Sequence, residues 1–274
     1  MILNAFAKVN LFLSVGEKRH DGYHDIETVM HTVNICDTVE LTSAEGLQVV
    51  CGMDIPQEDN LAYKAAAAFF AYTGITPSVR IEITKRIPSQ AGLGGGSADA
   101  AAVLNGLNQM YKTNLTKQAL ADIGVSLGAD IPFLVYGGKA LCRGIGEKIT
   151  PMEKEALHLA VIKPEVGCPT GKMYGELDKT EREIPEYTEG LYFNSFDLVC
   201  PAECKTAISR LYSLGAETAM LSGSGSACFG IFKKAEDAVR ASELLKKESQ
   251  WHQRKNRAKN MPLNNLSLLQ FLRI

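Results

Sequence analysis

One stretch decides how this chain folds: Pro88-Ser89-Gln90-Ala91-Gly92-Leu93-Gly94-Gly95-Gly96-Ser97-Ala98-Asp99-Ala100-Ala101. Four glycines in five positions make a loop with almost no side chains, so its backbone can approach a bulky anion closely. Residues 79–84 alternate apolar and polar side chains, which predicts a strand, and the sequence from Ser97 onward predicts a helix with Ser97 as its N-cap. Free N–H groups and the positive end of a helix dipole converge in such a unit, which predicts a phosphate or nucleotide site. The alternative is an ordinary glycine-rich turn, although such a turn needs fewer glycines.

The loop does not match the two commonest phosphate-binding patterns. A P-loop requires a lysine directly after its last glycine, and none follows here. The dinucleotide fingerprint Gly-x-Gly-x-x-Gly, counted from Gly92, would require glycine where Ser97 stands. The loop therefore indicates a phosphate site of a different type.

Composition is that of an ordinary soluble protein. The 274 residues are 46% hydrophobic and 22% charged, and they suffice for one large domain or, more plausibly, two. We expect no signal peptide and no membrane span, and a net charge of −2 does not indicate binding to nucleic acid or membrane. The seven dispersed cysteines form no C-x-x-C pair, which favours buried thiols in a cytoplasmic protein over disulfides or zinc.

The first fifteen residues alternate apolar and polar side chains and predict one long strand. Lys8 and Asn10 fall on the same, nominally polar face. A half-solvated strand would explain them, but Phe6 and Phe12 share that face and favour a covered site. The residues leave both interpretations open.

Asp130 enters an apolar run, Ile131-Pro132-Phe133-Leu134-Val135, where a carboxylate requires an explanation. Aspartate is a favoured N-cap and Pro132 suits a first helical turn, so a structural cap is the simpler interpretation. The alternative is a catalytic carboxylate facing a cleft.

Helices and strands alternate through the rest of the chain, with a second Gly/Ser loop at residues 221–227. This order predicts an α/β or α+β protein with a domain boundary near residue 150. From Trp251 onward the chain has five basic residues and no acidic one.

Three motifs, in this order, resemble those of the GHMP kinases, the superfamily of galactokinase, homoserine kinase and mevalonate kinase. They are Ala7-Lys8-Val9-Asn10-Leu11, the Pro-x-x-x-Gly-Leu-Gly-Gly-Gly-Ser run that begins at Pro88, and Leu221-Ser222-Gly223-Ser224-Gly225. The resemblance implies an α+β fold of two domains. Residues 1–150 would form a ribosomal-protein-S5-like, ATP-binding domain, and residues 151–250 a ferredoxin-like, substrate-binding domain. Residues 251–274 do not resemble the family's ending and are expected to be an atypical basic tail with no assigned function.

Within the superfamily, the sequence is similar to members that phosphorylate the 2-hydroxyl of 4-diphosphocytidyl-2-C-methyl-D-erythritol in the non-mevalonate isoprenoid precursor pathway. The similarity lies in Asp21-Gly22-Tyr23-His24, in the triple-glycine loop and in Gly128-Ala129-Asp130-Ile131-Pro132. It implies ATP and Mg²⁺ as cofactors and a small cytidine diphosphate molecule as substrate. It implies neither nucleic acid nor membrane as a partner, and it leaves monomer and homodimer open.

The resemblance also implies site residues. Asp130 would accept the proton of the hydroxyl, and Lys8 would contact both this aspartate and the reacting group. ATP would be bound by Pro88, Gly92, Leu93, Gly94, Gly95, Gly96, Ser97, Asn60 and Lys85. The substrate would be bound by Asn10, Tyr23, His24, Thr170 and Tyr174, with the two tyrosines enclosing the cytosine. The metal ligands are not legible, with Ser97 and Asp99 as candidates.

Two other functions compete with this one. Another GHMP kinase, of the homoserine or mevalonate type, would have no reason to share Tyr23, His24 and Tyr174. A non-catalytic nucleotide-binding protein of the same fold would have no reason to keep Lys8 and Asp130.

Overall fold

The computed structural model describes residues 1–52, 55–259 and 266–273. A first sheet has seven strands: β1 (Ile2–Lys18), β2 (His24–Ser43), β3 (Gly46–Cys51), β4 (Ser78–Thr84), β5 (Lys139–Gly144), β6 (Lys148–Met152) and β8 (Phe193–Asn194). Its main order is β3-β4-β2-β1-β8, and β5 pairs with β2 and β6. Because β2 is twenty residues long, one half pairs with β5 and the other with β4.

Four helices cover this sheet: α1 (Leu61–Thr73), α2 (Gly95–Met110), α3 (Lys117–Val125) and α4 (Ile131–Tyr136). The helix α2 lies on β1 and β2, and α1 and α4 pack against it. Asn60 caps α1 by accepting from Ala62 N at 2.9 Å, and Gly74 ends that helix in the left-handed conformation. This layer brings the start of α2 to the polar residues of β1.

A second sheet has the order β11-β7-β10-β9 and is antiparallel throughout. Its strands are β7 (His158–Pro164), β9 (Thr218–Leu221), β10 (Cys228–Phe232) and β11 (Leu266–Arg273), and its helices are α5 (Thr170–Leu177), α6 (Ala202–Ser213) and α7 (Ala235–Lys259). Residues 251–259 of the expected tail continue α7 and residues 266–273 form β11, whereas its residues 260–265 and 274 lie outside the described residues.

The second sheet separates two hydrophobic cores. In β7, Leu159 and Val161 pack into the core of the first sheet, whereas Ala160 and Ile162 pack beneath α6 and α7 with the second core. Both faces of this strand are therefore covered, which explains why its sequence is a continuous apolar run instead of an alternating one.

Within the described residues, β1–β8 and β3–β4 are the parallel strand pairs and all others are antiparallel. Of the two classes that the sequence left open, the fold is therefore α+β. None of the helices in this described part of the chain combines the length and apolar character needed to cross a bilayer.

The expectation that β1 alternates strictly between an apolar face and a polar face is wrong. The pairing of β1 with β2 shifts register between Phe6 and Lys8 and again between Asn10 and Phe12. Residues 7–14 are all buried. Bulges of this kind re-aim side chains, and here they bracket Lys8 and Asn10.

Candidate active site

The glycine loop ends in a left-handed residue that opens α2. Gly94 has φ 70° and is the N-cap, and the helix begins at Gly95. The predicted cap at Ser97 is therefore wrong, because glycine turns the chain into the helix three residues earlier. The first bond inside the helix runs from Ala98 N to Gly94 O at 2.8 Å. The preceding N–H groups of the first turn have no place in the helical ladder and can bind an anion.

The second Gly/Ser loop, residues 221–227, closes against the first. Ser222 Oγ donates to Gly92 O at 2.9 Å. Gly92 has φ 72°, and a Cβ there would lie 3.1 Å from Gly225 N. This close approach of two backbones requires glycine at position 92.

A cavity of about 500 Å³ lies along the glycine loop. Its lining includes every residue predicted to bind ATP: Asn60, Lys85, Pro88, Gly92, Leu93, Gly94, Gly95, Gly96 and Ser97. The structure thus brings a loop and a helix N-terminus together with two polar side chains. The most distant of these residues, Asn60 and Ser97, are 37 positions apart in the sequence.

Lys85 bridges two buried carboxylates at the wall of this cavity. Its Nζ donates to Asp37 Oδ2 and, at 2.6 Å, to Asp99 Oδ2. The other oxygen of Asp37 accepts from the backbone N–H groups of Arg86 and Ile87, the latter at 2.8 Å. Asp37 is completely buried, so this carboxylate anchors the chain just before the glycine loop.

Burial and ion pairing act in opposite directions on the pKa values of Asp99 and Lys85. Burial raises the pKa of Asp99 to about 7, against the opposing effect of Lys85. Burial alone would lower the pKa of Lys85, but Asp99 and Asp37 together raise it above its ordinary value. Asp99 Oδ1 has no hydrogen-bond partner among the described residues.

A second cavity, of about 240 Å³, meets the first. Its polar lining includes Lys8, Asn10, Thr28, Asp130 and Tyr174. The residues that line both cavities are Gly92, Gly94, Ser97 and Thr170. A ligand at the glycine loop and a ligand in the second cavity would therefore meet at the start of α2.

Lys8 and Asp130 face each other in the second cavity, with Lys8 Nζ 3.4 Å from Asp130 Oδ2. Lys8 is only 4% exposed, which settles the choice between a solvated strand and a covered site in favour of the covered one. Asp130 occupies the N-cap position of α4, but within the described residues its side chain makes no capping hydrogen bond. The structural-cap interpretation of this carboxylate is therefore wrong.

Asn10 links Lys8 to the neighbouring strand. Its Oδ1 accepts from Lys8 Nζ at 2.7 Å, and its Nδ2 donates to Thr28 Oγ1 at 2.9 Å. The Thr28 hydroxyl donates in turn to Phe12 O at 2.6 Å.

The residues predicted for base recognition are only partly together. The rings of His24 and Tyr174 stack with centroids 4.8 Å apart, and His24 Nε2 lies 2.7 Å from Asp178 Oδ1. Thr170 is the first residue of α5 and bonds Ser224 Oγ at 3.1 Å. Tyr23 is 59% exposed and makes no ring contact with any described residue. The enclosure of a base by Tyr23 and Tyr174 therefore stays a prediction.

Comparison with protein families identifies the chain. The model of the GHMP kinase N-terminal domain matches residues 60–138, and that of the GHMP kinase C-terminal domain matches residues 190–249. A curated 4-diphosphocytidyl-2-C-methyl-D-erythritol kinase of Geobacter sulfurreducens is 39% identical over 267 residues, which cover 91% of this chain and 96% of the relative. The chain belongs to the GHMP kinases.

Other relatives of this GHMP kinase agree. A 4-diphosphocytidyl-2-C-methyl-D-erythritol kinase of Caldicellulosiruptor saccharolyticus is 38% identical, with 90% of this chain and 93% of the relative covered. A crystal structure of 4-(cytidine 5'-diphospho)-2C-methyl-D-erythritol kinase superposes with a TM-score of 0.78 at 34% identity, covering 90% and 96% of the two chains. Mevalonate kinase of Methanococcus jannaschii, at 16% identity and a TM-score of 0.67, shares the fold. The resemblance and the fold class implied by the sequence are confirmed.

GHMP kinases use ATP. The metal is a separate matter. No three His, Cys, Asp or Glu side chains of the described residues are grouped closely enough to hold a metal ion on their own.

Sequence reasoning missed three polar residues of this GHMP kinase: Asp37, Thr28 and Asp178. Each acts on a predicted site residue through a bond that spans 18 to 154 positions of sequence. Asp37 lies in a strand that also contains Asp25 and Glu40, so no local pattern singles it out. The other two also had no signal in the sequence.

Proposed function

We propose that this chain transfers the γ-phosphoryl group of ATP to the 2-hydroxyl of 4-diphosphocytidyl-2-C-methyl-D-erythritol in the non-mevalonate isoprenoid precursor pathway. One observation carries the proposal: two cavities meet at the N-terminus of α2, and the Lys8–Asp130 pair lines the second one. The names of the relatives that this chain covers almost completely supply the substrate.

The donor side binds phosphate through the backbone. The N–H groups of Gly95, Gly96 and Ser97, which precede the first bond of the helical ladder, and the helix dipole attract the β- and γ-phosphates to the junction of the cavities. Asn60 and Lys85 line the same cavity and would also contact ATP. The γ-phosphoryl group then lies beside the second cavity.

The acceptor side holds the reacting hydroxyl. Asp130 accepts its proton, and Lys8 stabilises the negative charge that develops on the transferred group. Phosphoryl transfer has a loose transition state, so positioning and charge stabilisation do most of the work and a strong base is not required. The two residues are suited to these roles, because Lys8 is rigidly held by Asn10 whereas Asp130 is 34% exposed and open to a ligand.

The cytidine end extends past Tyr174. The base stacks on aromatic rings, with Tyr174 and Tyr23 as its neighbours and His24 at its edge. Thr170 and Asn10 line the same cavity and contact the diphosphate and methylerythritol parts. The stacked His24–Tyr174 pair supports this placement, because Tyr174 lines the second cavity and the His24 ring lies against it.

The donor set fits a Mg²⁺ ion held mainly by phosphates, because Mg²⁺ usually keeps several waters and needs few protein ligands. Ser97 Oγ is the best-placed protein group, since Ser97 lines both cavities. Asp99 has an unpartnered Oδ1 among the described residues, but Lys85 already occupies its other oxygen. When bound, a Mg²⁺ ion would neutralise part of the charge on the phosphates of ATP.

The proposal includes a division of the chain near residue 150 and a cytoplasmic location without nucleic-acid or membrane partners. The change from the first sheet to the second between Met152 and His158 supports the division. Seven free cysteines and a net charge of −2 support the location and the absence of polyanionic partners.

A substrate panel tests the function. The purified protein with ATP and Mg²⁺ is offered 4-diphosphocytidyl-2-C-methyl-D-erythritol, mevalonate or homoserine, and phosphorylated product is followed by ³¹P NMR. We expect turnover with the first alcohol alone. Turnover with mevalonate or homoserine, or no turnover with any of the three, would contradict the proposal.

A further inference from the structure

A chain of three hydrogen bonds lies beneath the Lys8–Asp130 pair. It runs from Lys8 Nζ to Asn10 Oδ1 at 2.7 Å, from Asn10 Nδ2 to Thr28 Oγ1 at 2.9 Å, and from Thr28 Oγ1 to Phe12 O at 2.6 Å. All four residues are buried, and Thr28 and Phe12 are completely so. Water therefore does not compete for these bonds.

The number of protons fixes the direction of this chain. The Thr28 hydroxyl has one proton, and Phe12 O can only accept, so that proton is committed to the Phe12 carbonyl. Thr28 Oγ1 can then only accept from Asn10, whose amide nitrogen must face Thr28. A flipped amide would set its NH₂ group against the Lys8 ammonium and its oxygen against a hydroxyl without a spare proton.

The backbone holds the end of the chain in place. Thr28 is the fifth residue of β2 and is paired on both sides, with Leu13 of β1 and with Cys142 of β5. The register shift between Asn10 and Phe12 lies between the two β1 residues that Thr28 bonds. Thr28 is therefore a rigid support, whereas Asn10 and Lys8 have side-chain torsions that need one.

We propose that Thr28 is a positioning residue for phosphoryl transfer: through Asn10 it sets the place of the Lys8 ammonium opposite Asp130. The inference rests on the proposed function, because it assumes that Lys8 acts on the transferred group. Thr28 lines the second cavity but not the cavity along the glycine loop. Its substitution should therefore affect the alcohol substrate and not the binding of ATP.

Thr28→Val tests this directly, because valine has nearly the same shape but neither donates nor accepts. Asn10 then loses the acceptor for a buried N–H, and its amide must turn to another acceptor and release Lys8. A displacement of this size at a reacting centre lowers kcat by about 10- to 100-fold. We expect the KM for ATP to stay unchanged, and Thr28→Ser, which keeps the hydroxyl, to recover most of kcat.

The matched control is Thr42→Val, which makes the same change at an exposed position of the same strand and is expected to leave kcat and thermal stability unchanged. Should Thr28→Val fail to fold, Thr28→Ala carries the same expectation. Normal kcat in the variant without the hydroxyl would overturn the inference. A loss that Thr28→Ser does not recover, or a lowered melting temperature with normal kcat, would overturn it too, since each would mean a packing role.

Asp130→Asn separates this inference from the function on which it rests. If Asp130→Asn still turns over, the proposed function fails whatever Thr28 does. If Asp130→Asn is inactive while Thr28→Val has normal kcat, the function stands and the role of Thr28 alone is refuted.

Discussion

Lys8 and Lys85 both lie against the glycine loop, and each faces carboxylates. A Cβ on Gly94 would be 3.2 Å from Lys8 Cγ, and a Cβ on Gly95 would be 3.6 Å from Lys85 Nζ. The surroundings of the two ammonium groups differ. Lys85 contacts two buried aspartates that leave it little freedom, whereas Lys8 is 3.4 Å from one aspartate that is a third exposed.

This difference in surroundings predicts a structural role for Lys85 and a chemical role for Lys8. A charge that two buried carboxylates largely neutralise stabilises a reacting group less, but it can fix the segment that leads into the loop. A charge that faces one loosely placed, accessible carboxylate can share that carboxylate with a substrate. Substitutions on the two sides should therefore change different measured quantities.

The largest effect is expected for Asp130→Asn. Loss of the proton acceptor should lower kcat by about 10²- to 10⁴-fold. The free energy of unfolding should fall by no more than about 1 kcal/mol, because the buried Lys8 ammonium loses a charged partner but keeps its bond to Asn10. Cytidine diphosphate should still bind, so steady-state kinetics, urea unfolding and calorimetry measure kcat, stability and binding in turn. Preserved turnover would remove Asp130 from the chemistry and with it the contrast between the two lysines.

The next effect is on stability and comes from the other lysine. Lys85→Met leaves Asp37 and Asp99 buried without their cation, which should lower the free energy of unfolding by about 3–5 kcal/mol. Lys8→Met is the matched substitution and should cost less, because Asp130 can be solvated. Urea unfolding of both variants at pH 8 compares them directly. Equal losses would show that the two pairs do the same structural work.

Tyr23 lies apart from both lysine sites and tests how the cytidine end of the substrate is bound. Tyr23→Ala should raise the KM for the cytidine substrate and leave kcat nearly unchanged, since stacking on a base contributes about 1–3 kcal/mol to binding. Tyr72→Ala is the control, because Tyr72 has the same exposure, 60% against 59%, on α1. An unchanged KM in Tyr23→Ala would count against stacking by this ring.

The smallest effect is a change in pH dependence. The pKa of Asp99 is raised to about 7, above its ordinary value of 3.8, so the folded protein keeps a proton that the unfolded chain has released. Stability from this group is full below about pH 4 and is lost as the pH rises through 7, with a slope of at most about 1.4 kcal/mol per pH unit. Asp99→Asn should remove this slope in urea titrations from pH 4 to 8.

Asp197 provides a matched control outside both lysine sites. Burial raises its pKa to about 7 as well, although it bonds the backbone N–H of Leu221 and no lysine. Asp197→Asn should also reduce the pH dependence of the free energy of unfolding between pH 4 and 8, although Asp197 lies outside the glycine loop. If Asp99→Asn leaves the slope as it was, the ionised form of Asp99 is stable beside Lys85.

Sequence motifs drew attention to Lys8 and its partner, whereas long-range contacts determine the surroundings of Lys85. The glycines predicted a phosphate site by themselves, whereas Lys8 and Asp130 were assigned a chemical role only through the resemblance to the GHMP kinases. Asp37 cannot be assigned in the same way, since its partner Lys85 is 48 positions away and is reached only through the pairing of β2 with β4.

The errors have a common physical origin. The sequence predicted a cap at Ser97 and regular alternation along the first strand, and in both cases backbone geometry decided otherwise. A left-handed Gly94 and two bulges in β1 depend on how the chain packs against other segments, which the local pattern does not contain.

In the second sheet, successive side chains of a strand point into two different cores, and this has a consequence for folding. β7 and β10 each place neighbouring side chains in two different cores, with Phe229 and Ile231 in one and Cys228 and Phe232 in the other. A slip of one residue would exchange the contents of both cores at once, so the register is specified from two sides. Neither half can melt without exposing apolar surface of the other, and we expect the chain to unfold in a single cooperative transition.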